Sequence, residues 1–150
     1  MEHPEKFRPY AAAYLVLIKN DKILLSRRAN TGYQDGNYSL VAGHLDGGET
    51  VLQCITREAT EEANIILSPQ NLDVILTLHR QSPSDREYFD FYVGATNWTG
   101  EIKNMEPKKC DDLAWFDLAN LPENILPDVK FALDQINAGN HFAEFGWPLK

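Results

Sequence analysis

The chain is 150 residues long and 43% hydrophobic, enough for one domain with a real core and too short for two of ordinary size. Its formal net charge of −8 repels a phosphodiester backbone, so a nucleic-acid polymer is not an expected partner. The longest apolar run, Tyr10 to Ile18, is well short of a membrane span, and Met1 to Pro9 is polar, so no membrane contact and a cytoplasmic location are expected. Cys54 and Cys110 make neither a disulfide framework nor a metal-ligand spacing, and read as small buried hydrophobes.

Tyr10 to Ile18 (YAAAYLVLI) reads as a buried strand, and after the turn signal Asn20-Asp21 the stretch Lys22 to Arg28 pairs back on it. Ala29 to Asn37, with Gly32, Asp35 and Gly36, is loop, and Tyr38 to Ala42 is a short strand leading into a glycine-rich turn. From Thr50 the residues Leu52, Ile55, Ala59 and Ala63 share one helical face with Thr56, which predicts a helix over 50–63. Strands follow at Ile65 to Leu67 and Leu72 to Arg80, then a polar hairpin loop at Gln81 to Asp85 and a returning strand at Tyr88 to Ala95. Leu113 to Phe116 is a further strand. Pro127 opens a second helix over 127–138, with Val129, Leu133 and Ile136 inward and Gly139 past its end. The order of elements predicts an α+β fold, an α/β/α sandwich with a mixed central sheet between helices.

The first helix carries an arrangement that local physics opposes. Glu58, Glu61 and Glu62 lie within about one turn of each other on a face beside the apolar one. Glu58 and Glu62 are like charges four apart, and Glu61 and Glu62 stand where the helix dipole disfavours anions by roughly 0.3–1 kcal/mol. Arg57 offers the one obvious relief. Three glutamates alone describe a solvated acidic helix face as well as a site, but clustered carboxylates also suit a hard, oxygen-seeking cation such as Mg²⁺ or Mn²⁺.

The spacing around them is more specific. Gly43 to Ile65 resembles the Nudix box, G-x5-E-x7-R-E-U-x-E-E-x-G-U, where U is a bulky apolar residue. Gly43, Glu49, Arg57, Glu58, Glu61 and Glu62 fall on it, and Ile65 fills the last apolar place. Ala59 is a small residue at an apolar position, and Asn64 stands where the pattern closes on Gly. Asn is the next best residue for a left-handed position, so the helix is expected to close normally. Asp35 to Leu40 resembles the family's approach strand, and Gly100 to Cys110, with Trp115-Phe116 and Leu121-Pro122 beyond, resembles a C-terminal pattern of its small members. The likeness covers most of residues 10–137 and implies one MutT-like Nudix hydrolase domain over 1–150.

The resemblance implies a Mg²⁺-dependent enzyme, with Mn²⁺ able to substitute, that splits a nucleoside diphosphate linked to another moiety. It implies Glu58 and Glu62 as the main metal ligands, with the Gly43 carbonyl and with Glu61 as a further ligand or a base. Arg57 and Glu49 would be an orienting pair, the alternative being a plain Arg57–Glu61 helix pair. Glu106 is the preferred general base from a later loop, with Asp111, Asp112 and Glu101 as rivals. Arg27 or Arg28 is a candidate phosphate contact, His44 is read as a loop cap in preference to a phosphate contact, and Trp98, Tyr88, Phe89 and Tyr92 are core residues or stacking partners for a base. The substrate expected first is a nucleoside triphosphate giving NMP and pyrophosphate, with ADP-ribose or a nucleotide sugar as the alternative. A non-catalytic nucleotide-sensing or protein-binding module is the reading from another class, and the complete glutamate set speaks against it. A monomer or a homodimer is expected.

Overall fold

The computed structural model describes residues 5–149. Nine strands and two helices follow in chain order: β1 (Tyr10–Val16), β2 (Ile18–Lys19), β3 (Lys22–Arg28), β4 (Tyr38–Ser39), β5 (Ala42–His44), α1 (Val51–Ala63), β6 (Leu72–Gln81), β7 (Glu87–Ala95), β8 (Cys110–Asp117), α2 (Pro127–Asn137) and β9 (Phe142–Phe145). A mixed five-stranded sheet in the order β5-β1-β7-β6-β9 forms the middle layer. β1 runs parallel to β7 and β9 parallel to β6, while the β1–β5 and β6–β7 pairs are antiparallel.

Alternation along β1 and β7 explains why this sheet sits between helices. Ala13, Leu15 and Val93 point into one core with Cys54, Ile55, Ala59 and Ala63 of α1. Val16 and Tyr92 point into the other with Val129, Ala132 and Leu133 of α2. A strand covered on both faces reads as a nearly continuous apolar run, as YAAAYLV does. Among the described residues no helix is long and apolar enough to cross a membrane.

The structure corrects several expected boundaries. The first apolar run is not one strand paired with Lys22 to Arg28. Both edges of β1 are taken by β5 and β7, so β3 has no place beside it. The chain instead changes sheets at the fully buried Leu17, whose carbonyl accepts from Leu24 N at 3.1 Å, and only β2 pairs with β3. β3 belongs to a second, antiparallel sheet with β2, β4 and β8. Tyr38 to Ala42 divides in the same way, β4 joining the second sheet and β5 the first. Ile65 to Leu67 makes a single bridge, Ile66 with Thr99, because Pro69 soon opens a short 3-10 turn. The strand expected at Leu113 to Phe116 is longer, and α2 ends one residue earlier than the expected 138. β9 was not anticipated, being too short for alternation to show.

Candidate active site

Both ends of α1 are fixed by its own residues. Thr50 caps the N-terminus: its hydroxyl accepts from Gln53 N at 3.1 Å, and the Gln53 side chain accepts from Thr50 N at 2.9 Å. Such a reciprocal cap contributes on the order of 1 kcal/mol. Asn64 closes the C-terminus in the left-handed conformation at φ 58°, as its substitution for Gly led one to expect. The carboxylates are thereby set at fixed heights on a rigid helix that starts just after the turn from β5.

Arg57 is the centre of the polar face. Its Nε donates to Glu49 at 3.2 Å and its Nη2 to the other Glu49 oxygen at 2.8 Å, a two-pronged grip that ties the glycine-rich turn to the helix. Its Nη1 donates to Glu58 at 2.7 Å and to Glu61 at 3.3 Å. The expected pair with Glu49 and the simpler pair with Glu61 therefore coexist. The guanidinium holds the Glu49 carboxyl below the ordinary range.

Gly43 matters because it has no side chain. A Cβ there would run into the Glu58 carboxylate, so the bare backbone lets the helix glutamate lie against β5. Burial raises the Glu58 carboxyl, against the pull of Arg57, and Glu61 and Glu106 add repulsion. Glu62 lies deeper. Its carboxylate accepts from Ala42 N at 3.1 Å, yet burial and the nearby Glu58 push it up to about 8. Glu61 is exposed at the rim.

Glu58, Glu61, Glu62, Gly43 and Glu106 line one cleft of about 550 Å³. Glu106 is brought there by a tight loop in which Asn104 accepts from Glu106 N at 3.1 Å and donates to Cys110 O at 2.6 Å. Its rivals lie elsewhere. Asp111 is bound by Arg27 at 2.6 Å, Asp112 is hydrogen-bonded by Tyr38, and exposed Glu101 is not in the cleft wall. Arg28 lines the cleft, whereas Arg27 is spent on Asp111. Rather than capping the loop, His44 stacks its ring 5.8 Å from Tyr88 and stands in the cleft wall, and burial lowers its pKa. Tyr88 is near the cleft's far end, Phe89 stacks on His79 at 4.5 Å, Tyr92 is fully buried, and Trp98 packs with Trp115 in the core. Lys109, from the Gly100 to Cys110 stretch that resembles the family's C-terminal pattern, also lines the cleft, as does Ser26, which lies in no recognisable spacing.

Among the described residues no three acidic, imidazole or thiolate side chains already converge as a metal cage. Glu58 is held on Arg57 and Glu62 on the Ala42 amide. The donor chemistry still fits a hard divalent cation, because the cleft offers oxygen donors whose mutual repulsion and burial already hold Glu62 near 8. A positive charge placed among them would remove that penalty.

Fold and cleft together define an α+β sandwich that presents helix-borne carboxylates, an arginine fork and a bare glycine to one open groove. The NUDIX domain matches residues 8–136, and the chain belongs to the Nudix hydrolase family. It is 30% identical over 110 residues to the NAD-capped RNA hydrolase NudC of Vibrio atlanticus (strain LGP32), covering 73% of this chain and 38% of that protein. The chain thus spans well under half the length of that relative. The ADP-ribose pyrophosphatase of Methanocaldococcus jannaschii is 27% identical over 132 residues, covering 88% of this chain and 76% of that protein. The crystal structure of a MutT NUDIX hydrolase from Burkholderia pseudomallei has the same fold, with TM-score 0.78 at 24% identity over 86% of this chain and 98% of that one.

Proposed function

We propose that the chain is a Mg²⁺-dependent pyrophosphohydrolase, with Mn²⁺ able to substitute, acting on a nucleoside diphosphate linked to another moiety. The observation that carries this is the gathering of Glu58, Glu61, Glu62 and Glu106 on one cleft, with Glu62 held up near 8 by burial and by Glu58. Such crowding costs the empty protein stability, and a bound cation would remove that cost. Water attacks one phosphorus, the bridging P–O bond breaks, and the products are a nucleoside monophosphate and the phosphorylated remainder. A divalent cation, when bound, neutralises phosphoryl charge and acidifies the attacking water.

In this reading Glu58 and Glu62 hold the cation with the Gly43 carbonyl, and Glu61 assists from the rim. Arg57, clamped by Glu49, keeps Glu58 in place. Glu106 takes the proton from the attacking water, and Lys109 and Arg28 orient phosphate oxygens. A nucleoside triphosphate is one substrate of this kind. A capped diphosphate of the ADP-ribose type is favoured over it, because the groove continues beyond the glutamates into further cavities of about 150 and 300 Å³. The likeness to an ADP-ribose pyrophosphatase along most of both chains supports the same choice. A cytoplasmic location, one domain over 1–150, and a monomeric or homodimeric state belong to the same proposal.

The test is phosphate release from ADP-ribose and from nucleoside triphosphates in Mg²⁺, with alkaline phosphatase and inorganic pyrophosphatase as separate coupling enzymes. AMP and ribose phosphate from ADP-ribose is the expected result. Glu58→Gln and Glu62→Gln should each lower kcat by about 100-fold or more with little change in KM. Turnover that survives in both variants overturns the assignment. Nucleotide binding with no turnover of any substrate would mark a sensor instead.

A further inference from the structure

The groove does not end where the glutamates end. The first cavity shares Arg28, Gly43 and His44 with the second, which in turn shares Tyr14, Tyr33 and Arg80 with a third, so the three form one trench. The third is an alcove of about 300 Å³ under the β6–β7 hairpin, with Tyr33, Tyr88, Arg28, Arg86, Ser82 and Ser84 in its wall.

The alcove runs against the charge of the chain. With a net charge of −8 and six arginines in all, three of them, Arg28, Arg80 and Arg86, line this one cavity. Arg80 is already neutralised: it is buried, donates to Asp90 at 2.6 Å and lies 3.6 Å from Asp128. Those two carboxylates are thus engaged by the floor of the alcove. Arg28 and Arg86 have no carboxylate within salt-bridge distance among the described residues. Arg28 donates only to neutral oxygens, Tyr33 O at 2.8 Å and Thr31 Oγ1 at 3.1 Å. Arg86 lies 5.1 Å above the Tyr10 ring.

The hairpin holds Arg86 on a closed turn. Ser82 N donates to Arg86 O at 2.8 Å, Asp85 N to Ser82 O at 2.9 Å, and Ser82 and Ser84 share a hydroxyl hydrogen bond at 2.9 Å. Asp85, the turn's own carboxylate, is not in the alcove wall. Tyr88 is part of the floor, its ring covered by Arg80 at 4.2 Å and stacked on Tyr10 at 5.2 Å, whereas Tyr33 is exposed. The result is a preformed corner with one open aromatic ring, two hydroxyls and two guanidinium groups without a counter-ion.

We propose that this alcove binds the nucleoside end of the substrate and that Arg86 selects a nucleoside carrying an additional phosphomonoester on its ribose. The exposed Tyr33 ring takes the base, the serine hydroxyls face the sugar, and Arg86 takes the second dianion while Arg28 stays on the diphosphate. This deepens the reading given above and rests on it. Substrates are then diphosphates of a phosphorylated nucleoside, in preference to the same diphosphates without that phosphate.

The probes are AMP, adenosine 2′,5′-bisphosphate and adenosine 3′,5′-bisphosphate, titrated calorimetrically in EDTA against wild type, Arg86→Ala and Arg86→Lys. Wild type should bind at least one bisphosphate about tenfold more tightly than AMP, and which one reports the position of the phosphate. Arg86→Ala should bring that ratio near one, and Arg86→Lys should restore part of it. The melting temperatures of both variants establish that they fold. Equal binding of all three probes by wild type overturns the proposal, as does a tenfold preference that persists in Arg86→Ala, or no binding of any probe. Hydrolysis by wild type in Mg²⁺ is scored separately, on ADP-ribose together with capped diphosphates of 2′- and 3′-phosphorylated adenosine. Its absence with the bisphosphate preference intact would sink the hydrolase reading and leave the alcove standing.

Discussion

Glu62 offers the sharpest test, because its cost can be read without any substrate. Its carboxyl is pushed from an ordinary 4.5 up to about 8, first by burial and then by Glu58. Between those values the folded metal-free protein keeps a proton that the unfolded chain releases, so stability falls as pH rises from 4.5 to 8. At full weight the displacement corresponds to roughly 5 kcal/mol. Glu62 is only partly buried, so solvent relaxation leaves an expected effect of about 2 kcal/mol. Glu62→Gln keeps the shape and removes the charge. In EDTA at pH 8 it should be about 2 kcal/mol more stable than wild type, which moves a urea midpoint by roughly 1 M at a slope near 2 kcal/mol/M. At pH 5, where wild type also carries the proton, the two should unfold together. Adding Mg²⁺ at pH 8 should stabilise wild type far more than the variant. A variant no more stable than wild type at pH 8, or one stabilised equally by Mg²⁺, would refute the reasoning.

Arg57→Lys keeps the charge but cannot reproduce the two bonds to Glu49, so kcat should fall by about 10- to 100-fold. Steady-state kinetics within twofold of wild type would show that the fork is dispensable. Gly43→Ala places a methyl where the Glu58 carboxylate lies, and denaturant titration should show a loss of about 1–3 kcal/mol together with weaker Mg²⁺ binding. Unchanged Mg²⁺ affinity would mean that the close approach of helix and strand has no bearing on the ligand. At the helix terminus, Asn64→Gly should leave stability within about 0.5 kcal/mol, whereas Asn64→Ala should cost about 1 kcal/mol, because φ is 58° there. Thermal unfolding of the pair decides it.

What could be read in the chain was set by periodicity and by fixed spacing. Ile55, Ala59 and Ala63 repeat at helical intervals and are all buried, so α1 and its inward face were legible. In β6 the alternation of Leu72, Val74, Leu76 and Leu78 predicts one buried face, which holds for Leu72, Leu76 and Leu78, whereas a bulge between Val74 and Leu76 turns Val74 out to solvent. A period of two shows which face a residue takes but says nothing of which strand lies alongside. The change of sheet at Leu17, and the assignment of Tyr38–Ser39 and Ala42–His44 to different sheets, depend on which edges are already filled. No local pattern carries that information. The cap at Thr50 was an available signal, since Thr50-x-x-Gln53 is a capping pair in the sequence itself.

The same distinction divides the cleft. Gly43, Glu49, Arg57, Glu58, Glu61 and Glu62 come from one short segment, where helix geometry converts spacing directly into proximity. Arg28, Glu106 and the hairpin pair Arg80 and Arg86 come from three separate places, and only the fold brings them to one trench. In β7, Tyr88 and Asp90 face the alcove side while Phe89 stacks against His79 on the opposite face, yet all three read alike as strand residues. The glutamate end, read from one helix, is the part that a whole family can share. The far end adds a hairpin tip and a loop, whose exposed residues Arg86, Ser84 and Tyr33 can vary without disturbing either core, to a floor of buried Arg80 and Tyr88 and half-buried Tyr14. Substrate choice is therefore expected to reside in the alcove residues, which is why a substitution at Arg86 should change what is bound while substitutions at Glu58 or Glu62 should change whether anything is cleaved.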